Sequence, residues 1–440
     1  VQGRTYTPAT IQERMRVHGV PAVSVAVIND GRIEWAKAYG LTDVATRRPA
    51  TTATLFQAAS ISKPVAAMGA LRLVQEGWLA LDEDIHTKLR SWKVAANELT
   101  ARRPVTLRLI MTHSAGLTVH GFPGYAPGVA VPTVVQLLGG EKPANTAAVR
   151  VDIEPGSRWR YSGGGTTVMQ LLMTDVTGEP FPSLMRRLVL DPIGMTASTY
   201  EQPLPTSRAV EAAIGYQSGG AAVAGRYHTY PEMAAAGLWT TPTDLARFVI
   251  EVQRSLAGGS NKVLWREMTV AMLTRGVGAH GLGPGIDGAG DSLRFGHGGA
   301  NEGFRAMFTG FATRGQGAAV MTNSDAGMAL VGEIMQAIAR EYRWPGFAPR
   351  VVVALAMTAD AMGEYAGRYV LAGRPLELHI AVADGQLIAR QGDGTPFELV
   401  RTGTDVFTPL VDAPPFRFER DGAGKITTLV VAGTRLERQP

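Results

Sequence analysis

Hydrophobic positions in this chain of 440 residues follow two different periods. Residues 22–28 (Ala-Val-Ser-Val-Ala-Val-Ile) are almost continuously apolar and rich in β-branched side chains. Asn29-Asp30-Gly31 follows, then a second run from Ile33 to Ala38. The pattern predicts a β-hairpin closed by a tight Asp-Gly turn. From near Ser60 to Glu76 the period changes. Val65, Met68, Leu71 and Val74, with others, cover most of the circumference of a helix, which predicts a buried central one. Pro64 falls in its first turn, where the missing N–H costs nothing, and Gly77 is placed to end it.

The middle of the chain reads as mainly helical. Thr106 to His113 is one short helix, Thr166 to Val176 a second closed by Gly178, and Asp244 to Leu256 a third with Thr243 as cap. Strand signals return at Phe304 to Phe311 and Gly317 to Thr322, and Gly332 to Tyr342 reads as a closing helix. Strands at both ends of a helical middle predict one antiparallel sheet assembled from the two ends, an α/β (α+β) domain over residues 1–346. The segment Trp344-Pro345-Gly346-Phe347-Ala348-Pro349 reads as a linker. Beyond Met362, short alternating runs (Leu376 to Val382, Gln386 to Arg390, Lys425 to Val431) are separated by Asp384-Gly385, Gly392-Asp393-Gly394 and Asp421-Gly422. They predict a small all-β meander or part-barrel as a second domain, 347–440.

Composition narrows the chemistry. Hydrophobic residues are 45% and charged residues 18%, a globular balance. The formal net charge is +5, but Lys and Arg are dispersed, with no block of the kind that marks a nucleic-acid or membrane-surface patch. The absence of cysteine excludes disulfides, thiolate metal sites and cysteine nucleophiles. No apolar run is long enough to span a bilayer. The sequence starts at Val1 rather than Met, which is read as a mature exported form or a trimmed piece. The expectation is therefore periplasmic or secreted, with a cytoplasmic location left open.

Three short stretches carry candidate chemistry. In Ser60-Ile61-Ser62-Lys63, positions i and i+3 share a helix face, so the Lys63 amine can reach the Ser60 hydroxyl. A serine hydroxyl needs a base to become a nucleophile, and a buried lysine is one such base. Ser-x-x-Lys also arises by chance. Here it is the only instance in the chain, and it opens the buried helix. In Tyr161-Ser162-Gly163 a tyrosine projects from a loop before a Gly-rich helix start, able to pass a proton between nucleophile and leaving group or simply to pack. In His297-Gly298-Gly299-Ala300 the glycines let a substrate approach a strand backbone, and the Ala300 N–H can pair with the Ser60 N–H as an oxyanion hole.

Taken together and in this order, the three stretches resemble the serine β-lactamase and penicillin-binding-protein superfamily, with the nearest likeness to its class C-like branch. That branch includes class C β-lactamases, D-aminopeptidases, D-alanyl-D-alanine carboxypeptidases and family VIII carboxylesterases. Supporting stretches are similar too: Leu109 through Leu117, Gly237 through Asp244, and Gly296 through Phe304. The resemblance spans about residues 10 to 342, and the tail resembles the lipocalin-like barrels appended to some members. It implies a covalent acyl-enzyme on Ser60, with Lys63 and Tyr161 as general base and acid. Ala300, His297, Gly298, Gly299 and Gly163 are implied at the oxyanion and substrate site. It implies no metal and no cofactor. The implied partner is a small ester, β-lactam or short peptide, not nucleic acid.

Two departures from the family pattern bear on substrate. Gly163 replaces the asparagine whose amide binds the acylamino group of peptide and β-lactam substrates, leaving Asn301 and Asn323 as candidate replacements. His297 replaces the lysine usual in true β-lactamases. Both favour a carboxylesterase, with an amide hydrolase as the alternative and a non-catalytic binding module as a rival of another class. Other signals are set aside. Gly283 to Gly288 fits a glycine-rich phosphate motif without the strand and helix it needs. Thr112 to Gly116 only faintly resembles a nucleophile elbow, so Ser114 is read as structural. Leu81-Asp82-Glu83-Asp84 lacks a calcium-loop pattern. The eight histidines are scattered, with no metal-ligand spacing.

Overall fold

The computed structural model describes residues 9–347, 352–373, 376–392, 396–411 and 413–439. They form two compact units, Thr10–Phe347 and the C-terminal residues beyond it.

The larger unit is built on a seven-stranded antiparallel sheet in the order β3-β2-β1-β9-β8-β7-β6. Its strands are β1 (Ala22–Asn29), β2 (Arg32–Asp43), β3 (Arg48–Pro49), β6 (Gly285–Asp287), β7 (Arg294–Asn301), β8 (Phe304–Phe311) and β9 (Gly317–Thr322). The two ends of the unit thus meet where β1 pairs with β9. The hairpin turn has Asp30 at φ 51° and Gly31 at φ 67°, the two positive values that a tight turn between twisted strands needs.

The near-continuous apolar run of β1 has a simple cause, because both faces of the sheet are covered. Ala22, Ala26 and Ile28 pack into the core that holds helix Ser62–Gln75 and helix Pro242–Leu256. Val23, Val25 and Val27 pack into a second core with helix Gly327–Glu341. Alternate residues of a strand face opposite ways, so a strand covered on both sides has no polar period.

Several boundaries differ from expectation. The apolar helix begins as a 3-10 turn, Ala59–Ile61, before the α-helix Ser62–Gln75. Helix Pro242–Leu256 is capped by Thr241, whose hydroxyl accepts from the Asp244 N–H, not by Thr243, because Pro242 fits the first helical turn. Helix Gly163–Thr177 starts three residues before Thr166, and helix Gly327–Glu341 five before Gly332. The remaining pair, β4 (Phe56–Gln57) and β5 (Trp239–Thr240), forms a separate two-stranded ladder.

The smaller unit is a closed eight-stranded barrel, β10 (Gly367–Val370) through β17 (Thr434–Arg438), each strand antiparallel to the next, with β17 pairing back to β10. The barrel is complete rather than partial. Its core includes Tyr365, Tyr369, Phe407, Phe416, Phe418 and Leu429. Asp384 and Gly385 make the expected tight turn with φ 50° and 71°, whereas the turn expected at Gly392-Asp393-Gly394 lies partly outside the described residues. No helix among the described residues is long and apolar enough to cross a membrane.

Candidate active site

The first element of the site is the turn at Ser60. After β4 the Ala58 N–H donates to the Leu238 carbonyl (2.8 Å). Ala59 then adopts φ 49°, a left-handed conformation that costs a non-glycine residue of order 1–3 kcal/mol. This kink drops Ser60 into the 3-10 turn that leads into helix Ser62–Gln75. Ser62, between the two candidate residues, holds the turn in place: its hydroxyl donates to the Ala59 carbonyl (2.5 Å) and accepts from the Leu238 N–H (2.9 Å). The Tyr200 hydroxyl donates to the Ser62 carbonyl (2.7 Å). Lys63 is only 3% exposed, and its Nζ donates to Ser60 Oγ (3.0 Å) and to the Ala235 carbonyl (2.7 Å). The hydroxyl and the amine read from the sequence are therefore in hydrogen-bond contact.

Tyr161 comes from the loop before helix Gly163–Thr177. Its ring centroid lies 5.0 Å from Lys63 Nζ. Around it stand four histidines from distant parts of the chain. His113 is at 4.3 Å between ring centroids, His120 at 4.9 Å, His297 at 5.9 Å and His280 at 6.3 Å. Trp159 stacks on His280 at 5.5 Å. The histidines that seemed scattered in sequence are thus gathered by the fold.

Burial decides their charge. It pushes His113 well below the ordinary imidazole range, with His280 and Lys63 adding to the shift. His280 is pushed down to about 4 by burial and then by Lys63, and His297 to about 3 by the same two causes. All three are neutral at pH 7. One ring nitrogen from each lies within 4.8 Å of the others, a spacing that fits three metal ligands. The hydrogen bonds argue otherwise. His113 Nδ1 accepts from the Ser162 N–H (3.2 Å), and His280 Nδ1 accepts from the Trp159 indole N–H (3.2 Å). In the neutral ring the proton then sits on Nε2, so both present an N–H where a metal needs a lone pair. Only His297, whose Nδ1 donates to the Gly298 carbonyl (2.6 Å), keeps a buried Nε2 without a partner. The trio does not fit a metal as three imidazole ligands. Instead it frames Tyr161 with neutral, polarisable rings.

Strand β7 supplies the opposite wall. A Cβ on Gly299 would stand 2.2 Å from the Ala58 carbonyl oxygen and 3.3 Å from Ala59 Cβ, so only glycine lets β7 lie against the Ser60 turn. Ser60, Tyr161, His297, Gly298, Gly299 and Ala300 line one cleft of about 560 Å³, together with His120, Trp159, His280 and Met328. None of its described lining residues is acidic.

Gly163 is buried and is not part of the cleft wall. Neither asparagine offered as its replacement is free. Asn301 Nδ2 donates to Gln57 Oε1 (2.9 Å) and to the Ala236 carbonyl (3.1 Å). Asn323 accepts from the Ala22 N–H (2.7 Å) and donates to the Ile214 carbonyl (3.0 Å). Ser114 is fully buried, hydrogen bonded to Thr112 (2.8 Å), and structural. Sequence reasoning missed His113, His120, His280 and Trp159. No spacing signals them; the available hint was Trp159 two positions before Tyr161.

A sheet covered on both faces, with a buried Ser-x-x-Lys turn opening into a cleft, defines the class of fold shared by the serine β-lactamases and penicillin-binding proteins. The family model described as Beta-lactamase matches residues 8–341, and the chain belongs to that family, whose members are generally serine hydrolases. Among curated relatives, esterase EstB of Burkholderia gladioli is 28% identical over 193 residues, which is 42% of this chain and 49% of EstB. A penicillin-binding protein of Bacillus subtilis (strain 168) is 24% identical over 215 residues, 47% of this chain and 43% of that protein. The chain thus spans just under half the length of these relatives. An octameric penicillin-binding protein homologue from Pyrococcus abyssi shares the fold with a TM-score of 0.66, at 21% identity, over 97% of this chain and 98% of that one.

Proposed function

We propose that this protein hydrolyses carboxylic esters through an acyl-enzyme on Ser60. The observation that carries the reading is the 3.0 Å contact between Lys63 Nζ and Ser60 Oγ inside a buried turn that faces the cleft. Lys63 acts as the base that takes the hydroxyl proton while Oγ bonds to the substrate carbonyl carbon. The oxyanion lies between the N–H groups of Ser60 and Ala300, which Gly299 allows to approach one another. The C–O bond to the alcohol then breaks, and Tyr161 or Lys63 returns a proton to the leaving oxygen. Water next attacks the acyl carbon and gives its proton to the same pair. The Ser60 ester bond breaks and Oγ is reprotonated. With no acidic residue on the described cleft wall, the Lys63/Tyr161 pair is left to activate that water.

Esters are favoured over amides because Gly163 offers no amide clamp and neither Asn301 nor Asn323 supplies one. The EstB relative, an esterase by name, points the same way. The test is a panel of p-nitrophenyl esters, nitrocefin and D-amino-acid amides, with intact-mass detection of the acyl adduct. Ser60→Ala should remove the adduct and lower kcat by on the order of 10⁴-fold or more. Amide turnover well above ester turnover would overturn the ester preference. Failure of Ser60 to label with a fluorophosphonate would favour a non-catalytic binding module.

A further inference from the structure

Beside the cleft lies a second cavity, of about 330 Å³, that the mechanism does not use. His280, Gly285, Gly296, His297 and Gly298 line both spaces, so the two are continuous. Met335 of helix Gly327–Glu341 also lines the second one, which places it on the side of the sheet that this helix covers. The strand register explains the passage between them. β6 pairs with β7 only from Gly285 opposite Gly296 to Asp287 opposite Arg294. Past Gly296, β7 has no described strand beside it on that side, and Gly298 sits on this open edge. Directly paired residues share a face of a sheet. Gly298 therefore points to the same side as its partner Met307, which packs into the core of that helix.

Gly296 and Gly298 differ in what they are for. A Cβ on Gly296 would stand 2.5 Å from the Phe308 carbonyl oxygen, so the packing of β7 on β8 requires the glycine. One on Gly298 meets nothing nearer than the Ala306 carbonyl oxygen at 3.9 Å, and the φ of Gly298 is not left-handed. A glycine inside a strand weakens it, and at 298 neither packing nor backbone asks for one. The missing side chain leaves the way open from the cleft to the second cavity.

The walls suit a hydrocarbon chain. Met307, Met335 and Phe347 line the second cavity, and Met328 lines the cleft. Met328 and Met335 lie seven residues apart on one helix, which therefore borders both spaces over about 10 Å. Methionine is unbranched and adaptable, so it moulds to a flexible occupant. Arg294 is the one permanent cation on the described wall, and it is already engaged: its guanidinium pairs with Asp287 and lies 4.7 Å from the centre of the Phe347 ring.

We infer that the alkyl chain of the ester crosses β7 at Gly298 and lies in this second cavity, so that unbranched esters of medium length are preferred to short ones. The inference rests on the hydrolase reading above and adds its substrate class.

Two measurements test it. The first takes kcat/KM in the full chain for two pairs of esters. p-Nitrophenyl octanoate and butanoate differ on the acyl side, and octyl and ethyl acetate on the alcohol side. One pair should favour its longer member by about 10-fold or more, since each buried methylene is worth about 3- to 4-fold, and that pair identifies the side that enters. Gly298→Leu, which fills the passage, should lower this ratio by about 10-fold, and so should Met307→Glu, which puts a charge in the second cavity clear of the cleft. Met307→Leu, which keeps the wall apolar, should not. The second measurement needs no turnover. Methyl octyl ketone, whose carbonyl cannot be hydrolysed, should bind Ser60→Ala about 10-fold or more tighter than methyl butyl ketone, and Met307→Glu should erase the difference. Two flat ester pairs, or a ratio that Gly298→Leu does not move, would overturn the inference. A ratio that Gly298→Leu lowers and Met307→Glu leaves alone would keep the chain within the cleft and overturn it too. Turnover of no ester, with the ketone difference present and lost in Met307→Glu, would overturn the hydrolase reading and leave the cavity as an alkyl-chain site.

Discussion

At the scale of single residues, the carboxyl the mechanism does not use is the most informative. Glu232 is fully buried, neither oxygen has a hydrogen-bond partner in the protein, and burial pushes it up to about 8 from its ordinary 4.5. It immediately precedes helix Met233–Ala236 without a side-chain hydrogen bond to it; the Ala235 carbonyl of that helix receives Lys63 and its Ala236 carbonyl receives Asn301. In the folded state it stays protonated until pH rises near 8, whereas in the unfolded chain it ionises from about 4.5. Between those values the folded state binds more protons, so stability falls as pH rises, by up to about 1.4 kcal/mol per pH unit from this group. Glu232→Gln should remove that slope. The free energy of urea unfolding of the variant relative to wild type should therefore grow steadily from pH 5 to pH 8. A difference that stays flat would mean the carboxyl is paired in solution. Nothing in the sequence marks Glu232, because a glutamate between Pro231 and Met233 reads as a solvated loop residue. Ser60, Lys63 and Tyr161 were legible because their types and order carry a mechanism, whereas His113 and His280 acquire meaning only from distances set by the fold.

At the scale of elements, the apolar periods located the hairpin, the central helix, β8 and β9, because each period reports a buried face. They misplaced helix starts, since a start is decided by local hydrogen bonds and not by hydrophobicity. Thr241 won over Thr243 because Pro242 fits the first helical turn, and the Ser60 helix opens as a 3-10 turn because Ala59 is kinked. The glycines of β7 were read as openings for substrate, and at Gly299 the structure assigns a different task. Its Cβ would collide with the Ala58 carbonyl at 2.2 Å, whereas a Cβ on Gly298 meets nothing nearer than the Ala306 carbonyl at 3.9 Å. Gly299→Ala should therefore destabilise the unit by roughly 1–3 kcal/mol, the usual size of an overpacked contact, and Gly298→Ala by much less. Urea unfolding of the two variants side by side checks this. Equal losses would mean that β7 is not pressed against the Ser60 turn.

At the scale of the whole molecule, the two units differ in how they close their edges. The barrel leaves no strand unpaired, and the larger sheet ends in β3 with two residues and β6 with three, edges too short to recruit another strand. The residues of the barrel core and those of the two larger cores form separate clusters. The place where the larger unit ends can be read from its last aromatic residues. Trp344 is 4% exposed and packs on Phe311 at 5.3 Å between ring centroids, and Phe347 packs on Trp344 at 5.4 Å while its ring takes the Arg294 guanidinium at 4.7 Å. A chain ending at Phe347 keeps these contacts, and one ending at Arg343 loses a buried indole, a deletion of the kind that costs about 3–5 kcal/mol. The segment Thr10–Phe347 should therefore unfold in one cooperative transition and still label at Ser60 with a fluorophosphonate. The version ending at Arg343 should melt lower by about 6–10 °C, on a scale of about 2 °C per kcal/mol, the lower end for large domains. Equal melting of the two truncations would place the edge of the fold before Trp344. Loss of cooperative unfolding in both would mean that the larger core does not close without the barrel.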